Sequence, residues 1–364
     1  MSDPDQITVL DEMIADLKTL VEVESPSNDR DALCRSGSVL SALIERRLGT
    51  APTLVDGPAG PHVHWSGGGE PKVLVLGHHD TVFPMGTLEQ RPFTVNAGRA
   101  TGPGVFDMKA GIVQAIHAVA ALDDRSGVEI LMTCDEEVGA ATSKALLCDR
   151  AVACGAVLVL EPSADGGVLK TGRKGVGTFE VVINGRAAHA GLEPHRGINS
   201  VIEAAHQLLA IAAIADVEAG TTVTPTVIAG GTAENVVPAQ TRIRVDVRVS
   251  TMDEAARVEH EMAALSPVLD GATLEILGRV SRPPLQESAS APLFPLAKAY
   301  DPSITGITVG GASDGNFTAA LGVPTLDGLG AVGGGAHAES EHVLVATMPD
   351  RARLLAAIIA ARCS

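Results

Sequence analysis

The side chains in this sequence that could do chemistry are imidazoles and carboxylates, and they gather at five short stations. His78 opens the run His78-His79-Asp80-Thr81, directly after Gly77. A glycine-rich stretch, Thr101-Gly-Pro-Gly-Val-Phe, delivers Asp107; Asp135-Glu136-Glu137 is an acidic triplet; Glu161 stands before Pro162; His337 follows Gly-Gly-Gly-Ala. These are metal-ligand types, and metal-assisted hydrolysis is the chemistry they could support together. Singly, each has a plainer explanation. A histidine after a strand is more often a hydrogen-bonded loop residue, an aspartate at a helix start an N-cap, and an acidic cluster a solvated turn, while Glu161 could simply end a strand.

Position decides between the two readings. The strand-like runs Lys72–Gly77, Val128–Cys134 and Gly155–Glu161 each lead into a station, and Asp107–Leu122 carries Ile112, Val113, Ile116 and Val119 on one helical face. Residues 7 to 24 predict an N-terminal helix, with Leu10, Met13, Ile14, Leu17, Leu20 and Val21 as its apolar stripe. Strand–helix–strand succession predicts an α/β fold built on a mostly parallel sheet flanked by helices. In such sheets ligands collect beyond the carboxyl ends of the strands, which is where the stations fall.

From about Lys174 the rhythm changes. Strand (Gly177–Asn184), helix (Ile198–Ala215), strand (Thr222–Gly230), strand (Thr241–Val249), helix (Met252–Leu265) and strand (Ala272–Leu277) follow in the βαββαβ order of a ferredoxin-like domain. Ile243, Val245, Val247 and Val249 alternate with Arg242, Arg244, Asp246 and Arg248, so one face of that strand is buried. The strand–helix pattern resumes after Arg282, which makes 174–282 an insertion between a first part, 1–173, and a second part, 283–364, of the larger domain. A length of 364 residues agrees, because single cores stop growing at roughly 250–300 residues.

Composition narrows the partners. With 27 basic against 44 acidic side chains, net charge −17, the chain lacks the cationic surface that nucleic acid or an anionic membrane requires, and neither is expected as a partner. Five scattered cysteines without a CxxC pair argue against a disulfide framework and against a thiolate zinc site. No apolar run is long enough to span a bilayer and the first residues, Met1-Ser-Asp-Pro-Asp-Gln, show no leader pattern, so a soluble, cytoplasmic protein is expected.

The sequence resembles the metallopeptidase 20 family of co-catalytic zinc amidohydrolases, which includes glutamate carboxypeptidase, acetylornithine deacetylase, succinyl-diaminopimelate desuccinylase and aminoacylase. The resemblance spans nearly the whole chain and rests on Gly77-His78-His79-Asp80-Thr81-Val82, Gly102-Pro-Gly-Val-Phe-Asp107-Met108-Lys109-Ala-Gly111, Asp135-Glu136-Glu137-Val-Gly139, Gly185-Arg-Ala-Ala-His189-Ala-Gly191, Gly310-Gly-Ala-Ser-Asp314 and Ala336-His337. It implies a zinc-peptidase-like sheet and an inserted dimerisation or lid domain. It also implies two zinc ions, for which cobalt or manganese could substitute, bridged by Asp107, with His78 and Glu161 completing one site and Glu137 and His337 the other. A shared carboxylate would hold such a pair about 3.5–4 Å apart.

By the same resemblance Glu136 is the general base and the peptide after Asp107 is cis; if only the backbone is used there, the Met108 side chain should matter little, and Asp80 is expected to orient the His78 ring by accepting its hydrogen bond. His189 would stabilise the oxyanion, reaching across a homodimer formed through the inserted domain, while Asn235 and Arg282 would bind a substrate carboxylate. His79 reads as structural, Arg248 as a strand-surface charge, Arg173–Lys174 as a hinge with exposed side chains, and Asp314 as a supporting hydrogen-bonding group. The expected activity is a metallohydrolase acting on a small peptide or N-acyl amino acid, with a carboxypeptidase releasing a C-terminal residue such as glutamate as the leading version. An aminoacylase or deacetylase remains open, and a non-catalytic, metal-stabilised binding protein is the distant alternative.

Overall fold

The computed structural model of the chain describes residues 4–364, so the first residues of the opening segment read above lie outside the described part. Two compact units are present. The first runs to Gly172 and resumes over Glu287–Thr308 and Ser313–Ser364; the second comprises Arg173–Gln286 and Val309–Ala312.

The first unit is organised by a six-stranded sheet in the order Thr53–Asp56, Pro61–Ser66, Val128–Thr133, Val73–His78, Val157–Val159, Thr325–Leu326. Its last four strands run parallel and its first two are added antiparallel. The strand Val73–His78 is apolar up to its final histidine because both of its faces are covered. Val73 and Val75 join a core with the helices Pro4–Val21, Arg30–Leu48, Ala110–Ala120 and Met348–Cys363. Leu74 and Leu76 pack the other way, with Leu147 and Ala151 of the helix Lys144–Cys154 and with Phe317. Among the polar groups on the first face, buried Asp16 accepts hydrogen bonds from Arg46 (2.6 Å), Arg47 (2.8 Å) and His117 (2.8 Å), which ties three of those helices together. Burial opposes ionisation of Asp16, but its His117 and Arg47 partners outweigh that and hold its carboxyl below the ordinary value.

The helix expected to start at Asp107 starts at Ala110 instead. Asp107 (φ −114°, ψ 92°) and Met108 (φ −133°, ψ 32°) belong to a non-helical turn before it, so Asp107 is not an N-cap. None of the described helices is long and apolar enough to cross a membrane.

The second unit is a four-stranded antiparallel sheet in the order Thr222–Gly230, Gln240–Val249, Gly175–Asn184, Thr273–Arg282, with the helices Ser200–Ala212 and Met252–Ala263. Ile243, Val245, Val247 and Val249 are fully buried, as the alternation predicts. The last strand outruns its expected end at Leu277 because pairing with Gly175–Asn184 continues past Gly278 (φ +104°) and an irregularity between Val280 and Arg282. A glycine and a register shift erase the period-two signal on which the sequence reading relied.

Candidate active site and metal centre

Five donor side chains of the first unit converge. His78 ends a parallel strand, Glu137 follows the neighbouring strand, Glu161 follows the next, and Asp107 and His337 come from loops. Asp107 presents its two oxygens separately: Oδ1 lies 3.4 Å from His78 Nε2, and Oδ2 lies 3.3 Å from His337 Nε2. Glu161 Oε1 stands 3.7 Å from the same His78 nitrogen, and Glu137 Oε1 stands 3.2 Å from the same His337 nitrogen. Two nests therefore share one carboxylate, each with its own imidazole and its own glutamate.

The electrostatics fit divalent cations. Burial opposes ionisation of Asp107, yet the His337 and His78 rings beside it hold its carboxyl far below the usual range. His337 is driven up to about 10 by Asp107 and Glu137. Burial pushes His78 down, but Asp107 and Asp80 overcome it and raise it well above the ordinary imidazole value. Glu137 is raised, chiefly by burial. The two raised histidines report the carboxylate charge around them, and Asp107 Oδ1 is a buried oxygen with no hydrogen-bond donor. Three carboxylates and two imidazoles, with such an orphaned oxygen at the centre, are a donor set suited to a pair of divalent ions.

Buried groups hold these donors in place. Asp80 meets the His78 ring twice: His78 Nδ1 donates to the Asp80 backbone carbonyl at 3.0 Å and lies 3.4 Å from the carboxylate. The Asp80 carboxylate also accepts from Ser27 Oγ (2.7 Å) and from the backbone N–H groups of Glu136 and Glu137 (both 3.3 Å). One residue thus anchors both the first histidine and the acidic turn. Fully buried Glu341 does the same for Asp107, accepting from the N–H groups of Gly104 (2.9 Å), Phe106 (3.0 Å) and Asp107 (3.0 Å). Burial pushes Glu341 up to about 7 against the pull of those donors. Gly104 serves the same loop: it has φ +71°, and a Cβ there would come 2.4 Å from Thr81 Cγ2. The Asp107–Met108 peptide is cis, and His337 adopts φ +64°, a conformation uncommon outside glycine.

Other expectations divide. The Met108 side chain does matter, because it is buried, its Sδ accepts from His78 N–H at 3.3 Å, and a Cβ on Gly77 would come 2.9 Å from that sulfur. Glu136 is half-buried beside Glu137. His79 is buried between Ser36 Oγ (3.1 Å) and the Pro61 carbonyl (3.0 Å), with desolvation lowering it to about 4. Asp314 is buried and accepts from Thr133 Oγ1 at 3.3 Å. Arg173 corrects the reading of a hinge with exposed side chains: it is buried, with its guanidinium donating to the carbonyls of Gly311 (3.1 Å) and Ala312 (3.3 Å). Lys174 is half-buried. Arg248 pairs with Asp246 at 2.9 Å on the strand surface.

The candidate recognition residues sit in the second unit. His189 and Asn235 are exposed on adjoining loops, joined where Ala190 N–H donates to the Asn235 carbonyl at 2.8 Å. Arg282 is buried, 9% exposed, at the end of its strand. The sequence reading missed Glu341, whose partners are backbone N–H groups and leave no trace in residue type or spacing. It also dismissed the cysteines as ligands, whereas Cys134 lies with His62 and Asp135 in a second cluster of donors.

The chain matches the family described as Peptidase family M20/M25/M40 over residues 74–361. It is 29% identical to Carboxypeptidase G2 of Pseudomonas sp. (strain RS-16), covering 95% of this chain and 88% of that protein. It is 30% identical to the succinyl-diaminopimelate desuccinylase of Thioalkalivibrio sulfidiphilus, covering 80% and 84%. In fold it is similar to the crystal structure of aminopeptidase PepT from Bacillus cereus, with a TM-score of 0.79 and 20% identity over 98% of this chain and 99% of that one. A family match over most of the sequence, together with the paired donor nests, makes this chain a metallohydrolase that belongs to peptidase family M20.

Proposed function

We propose that the enzyme is a dinuclear-zinc amide hydrolase that releases a C-terminal amino acid of the glutamate type from a peptide or N-acyl conjugate. The observation that carries this reading is Asp107 offering one oxygen to each of two imidazole–glutamate nests. In this assignment His78 and Glu161 hold one ion, Glu137 and His337 the other, and Asp107 both; cobalt or manganese would suit the same donors. When bound, the ions supply Lewis acidity to the scissile carbonyl and acidify the attacking water.

The chain's own residues do the rest. Glu136 takes a proton from the attacking water and returns it to the leaving amine, while Asp80 fixes the turn that carries it. His189 Nδ1 accepts from the N–H groups of Gly191 and Leu192, both at 3.1 Å, which places the ring proton on Nε2. That Nε2–H is the donor for the developing oxyanion. The Asn235 amide and the Arg282 guanidinium take the substrate carboxylate, the latter by paired hydrogen bonds.

Similarity to a carboxypeptidase along 95% of the chain favours this substrate class. The desuccinylase relatives favour a second reading, removal of an acyl group from an N-acyl amino acid. Metal-loaded enzyme assayed on dipeptides, C-terminal glutamate conjugates, and N-acetyl and N-succinyl amino acids separates the two. Preference for the C-terminal glutamate substrates is expected, and turnover confined to the acyl amino acids overturns the carboxypeptidase reading.

A homodimer through the second unit is part of the proposal. Its strand Thr222–Gly230 is a sheet edge with Val227 53% and Ile228 51% exposed, a surface suited to pairing with a second copy. A monomeric mass in solution would remove that part. Five free cysteines agree with a reducing, cytoplasmic setting.

A further inference from the structure

Apart from the five-donor cluster, the first unit gathers His62, Cys134 and Asp135, with one ligand atom from each lying within 4.8 Å of the others. All three are buried, at 2%, 0% and 1% exposure. Strand pairing explains the meeting: Pro61–Ser66 runs antiparallel to Val128–Thr133 with Val63 opposite Met132, so His62 lies beside the end of the strand from which Cys134 and Asp135 emerge.

Counting protons exposes what the cluster lacks. Asp135 Oδ2 accepts from Thr142 N–H (2.6 Å) and Thr142 Oγ1–H (2.8 Å). The hydroxyl proton being committed there, Thr142 Oγ1 can serve His62 Nε2, 3.4 Å away, only as an acceptor, which puts the imidazole proton on Nε2. His62 Nδ1 is then a lone pair, and both it and Asp135 Oδ1 are buried without a partner. Beside them is the Cys134 sulfur, whose thiol is pushed up to about 12 by burial and by the nearby Asp135 and Asp80 charges. Two unpartnered buried acceptors, in a cluster whose ligand atoms lie within 4.8 Å of one another and which offers at most a weak S–H, stay unsatisfied unless something electropositive joins them. The segment beside the ring leaves little room: a Cβ on Gly57 would sit 3.2 Å from His62 Nε2.

We propose that His62 Nδ1, Cys134 Sγ and Asp135 Oδ1 form a third metal site, separate from the five-donor cluster, that takes a single thiophilic divalent cation such as zinc. Thiolate, carboxylate and neutral imidazole carry two negative charges between them, so a divalent ion leaves the buried site neutral. On loading, the Cys134 S–H bond breaks, a sulfur–metal bond forms and the proton leaves to solvent. Thr142, bonded to two of the three ligands and half-buried, orients them from the solvent side. Magnesium and calcium, which prefer all-oxygen shells, are excluded by the sulfur. The site adjoins Glu136 and Glu137, so its ion would brace the turn that carries them.

Cobalt reports this site without relying on activity, because the five-donor cluster contains no sulfur. Full-length protein stripped by chelator and titrated with cobalt should develop a near-ultraviolet sulfur-to-cobalt charge-transfer band. The Cys134→Ser variant should lack that band and bind one equivalent fewer, and Cys34→Ser should match wild type. His62→Gln, which keeps the thiol, should weaken the band and serves if Cys134→Ser does not fold. A saturated wild-type protein with no such band overturns the proposal and points to an ordinary buried water between the acceptors. A band that survives both Cys134→Ser and His62→Gln overturns it equally. Neither outcome touches the hydrolase reading, which rests on other residues.

Discussion

The two units hold most of their candidate residues in opposite ways, exposed His337 in the first and buried Arg282 in the second being the exceptions. In the first, His78 and Asp80 are 1% and 0% exposed, and the donors are fixed by groups that reach backbone N–H and carbonyl groups: Asp80 under the Glu136–Glu137 turn, Glu341 under the Asp107 loop. In the second, His189 and Asn235 stand exposed on loops and are joined by main-chain bonds such as Ala190 N–H to the Asn235 carbonyl. Metal-ligand geometry tolerates errors of only a few tenths of an ångström, so its side chains need buried support. Recognition of a substrate tolerates more freedom, and loops on a separate scaffold can vary without disturbing the donors. Substitutions in the first unit should therefore change metal content, kcat or folding, and those at the second unit's loops should change catalysis or KM with the metals undisturbed.

The largest effect is expected from Glu136→Gln. Loss of a general base costs up to about 10⁴-fold in kcat. Metal content, measured by elemental analysis, should stay at the wild-type value because Glu136 is not assigned as a ligand. Turnover equal to wild type would remove Glu136 from the proton transfer.

Asp16→Asn tests the first unit as a scaffold, at a residue bonded to Arg46, Arg47 and His117 and to none of the five donors. Breaking a buried ion pair from one side costs about 3 kcal/mol at the lower end of its range, fitting here because Arg46 remains 57% exposed and can be hydrated. The pH dependence has a definite sign. The folded-state value of Asp16 is depressed, so its contribution is complete above the ordinary 3.8 and is lost as pH falls through the folded value. Wild type should therefore lose stability over that acid range more steeply than Asp16→Asn in urea melts, and parallel acid limbs would discount the network. His189→Ala, by contrast, removes a proposed oxyanion donor and should lower kcat by about 10²–10³. Stability and metal content should hold, since the side chain is exposed.

Much of this contrast is readable in the sequence, for physical reasons. Residues 73–77 and the stretch 130–132 are legible because strands buried on both faces run mostly apolar, and Gln240–Val249 because one buried face imposes strict alternation. His78, Glu137 and Glu161 are legible because they end or follow buried strands, and Asp107 and His337 because of the glycine-rich stretches before them. What escapes is whatever depends on distant backbone. Nothing about Glu341 says that its acceptors face the N–H groups of residues 104 to 107. Arg173 reads as an exposed hinge because only the returning segment Val309–Ala312, far along the chain, supplies the carbonyls that bury it. Cys134 reads as isolated because its neighbour His62 arrives through a strand register that no short motif encodes.

Glu341→Gln gives the smallest and sharpest test, because it separates holding a ligand from being one. The carboxylate accepts three backbone N–H groups with two oxygens, Oε2 taking Gly104 and Oε1 taking Phe106 and Asp107. A carboxamide has one oxygen and sets an N–H₂ group against the remaining donor, so at least one end of the Asp107 loop must move. Loss of a group that orients a metal ligand lowers metal affinity by about 10–100-fold. Chelator competition should show that loss in Glu341→Gln, and activity should return when metal is supplied in excess, which a collapsed fold would not allow. If affinity is unchanged while the variant melts early, Glu341 serves the fold alone, and the first unit's donors are held no more deliberately than the loops of the second.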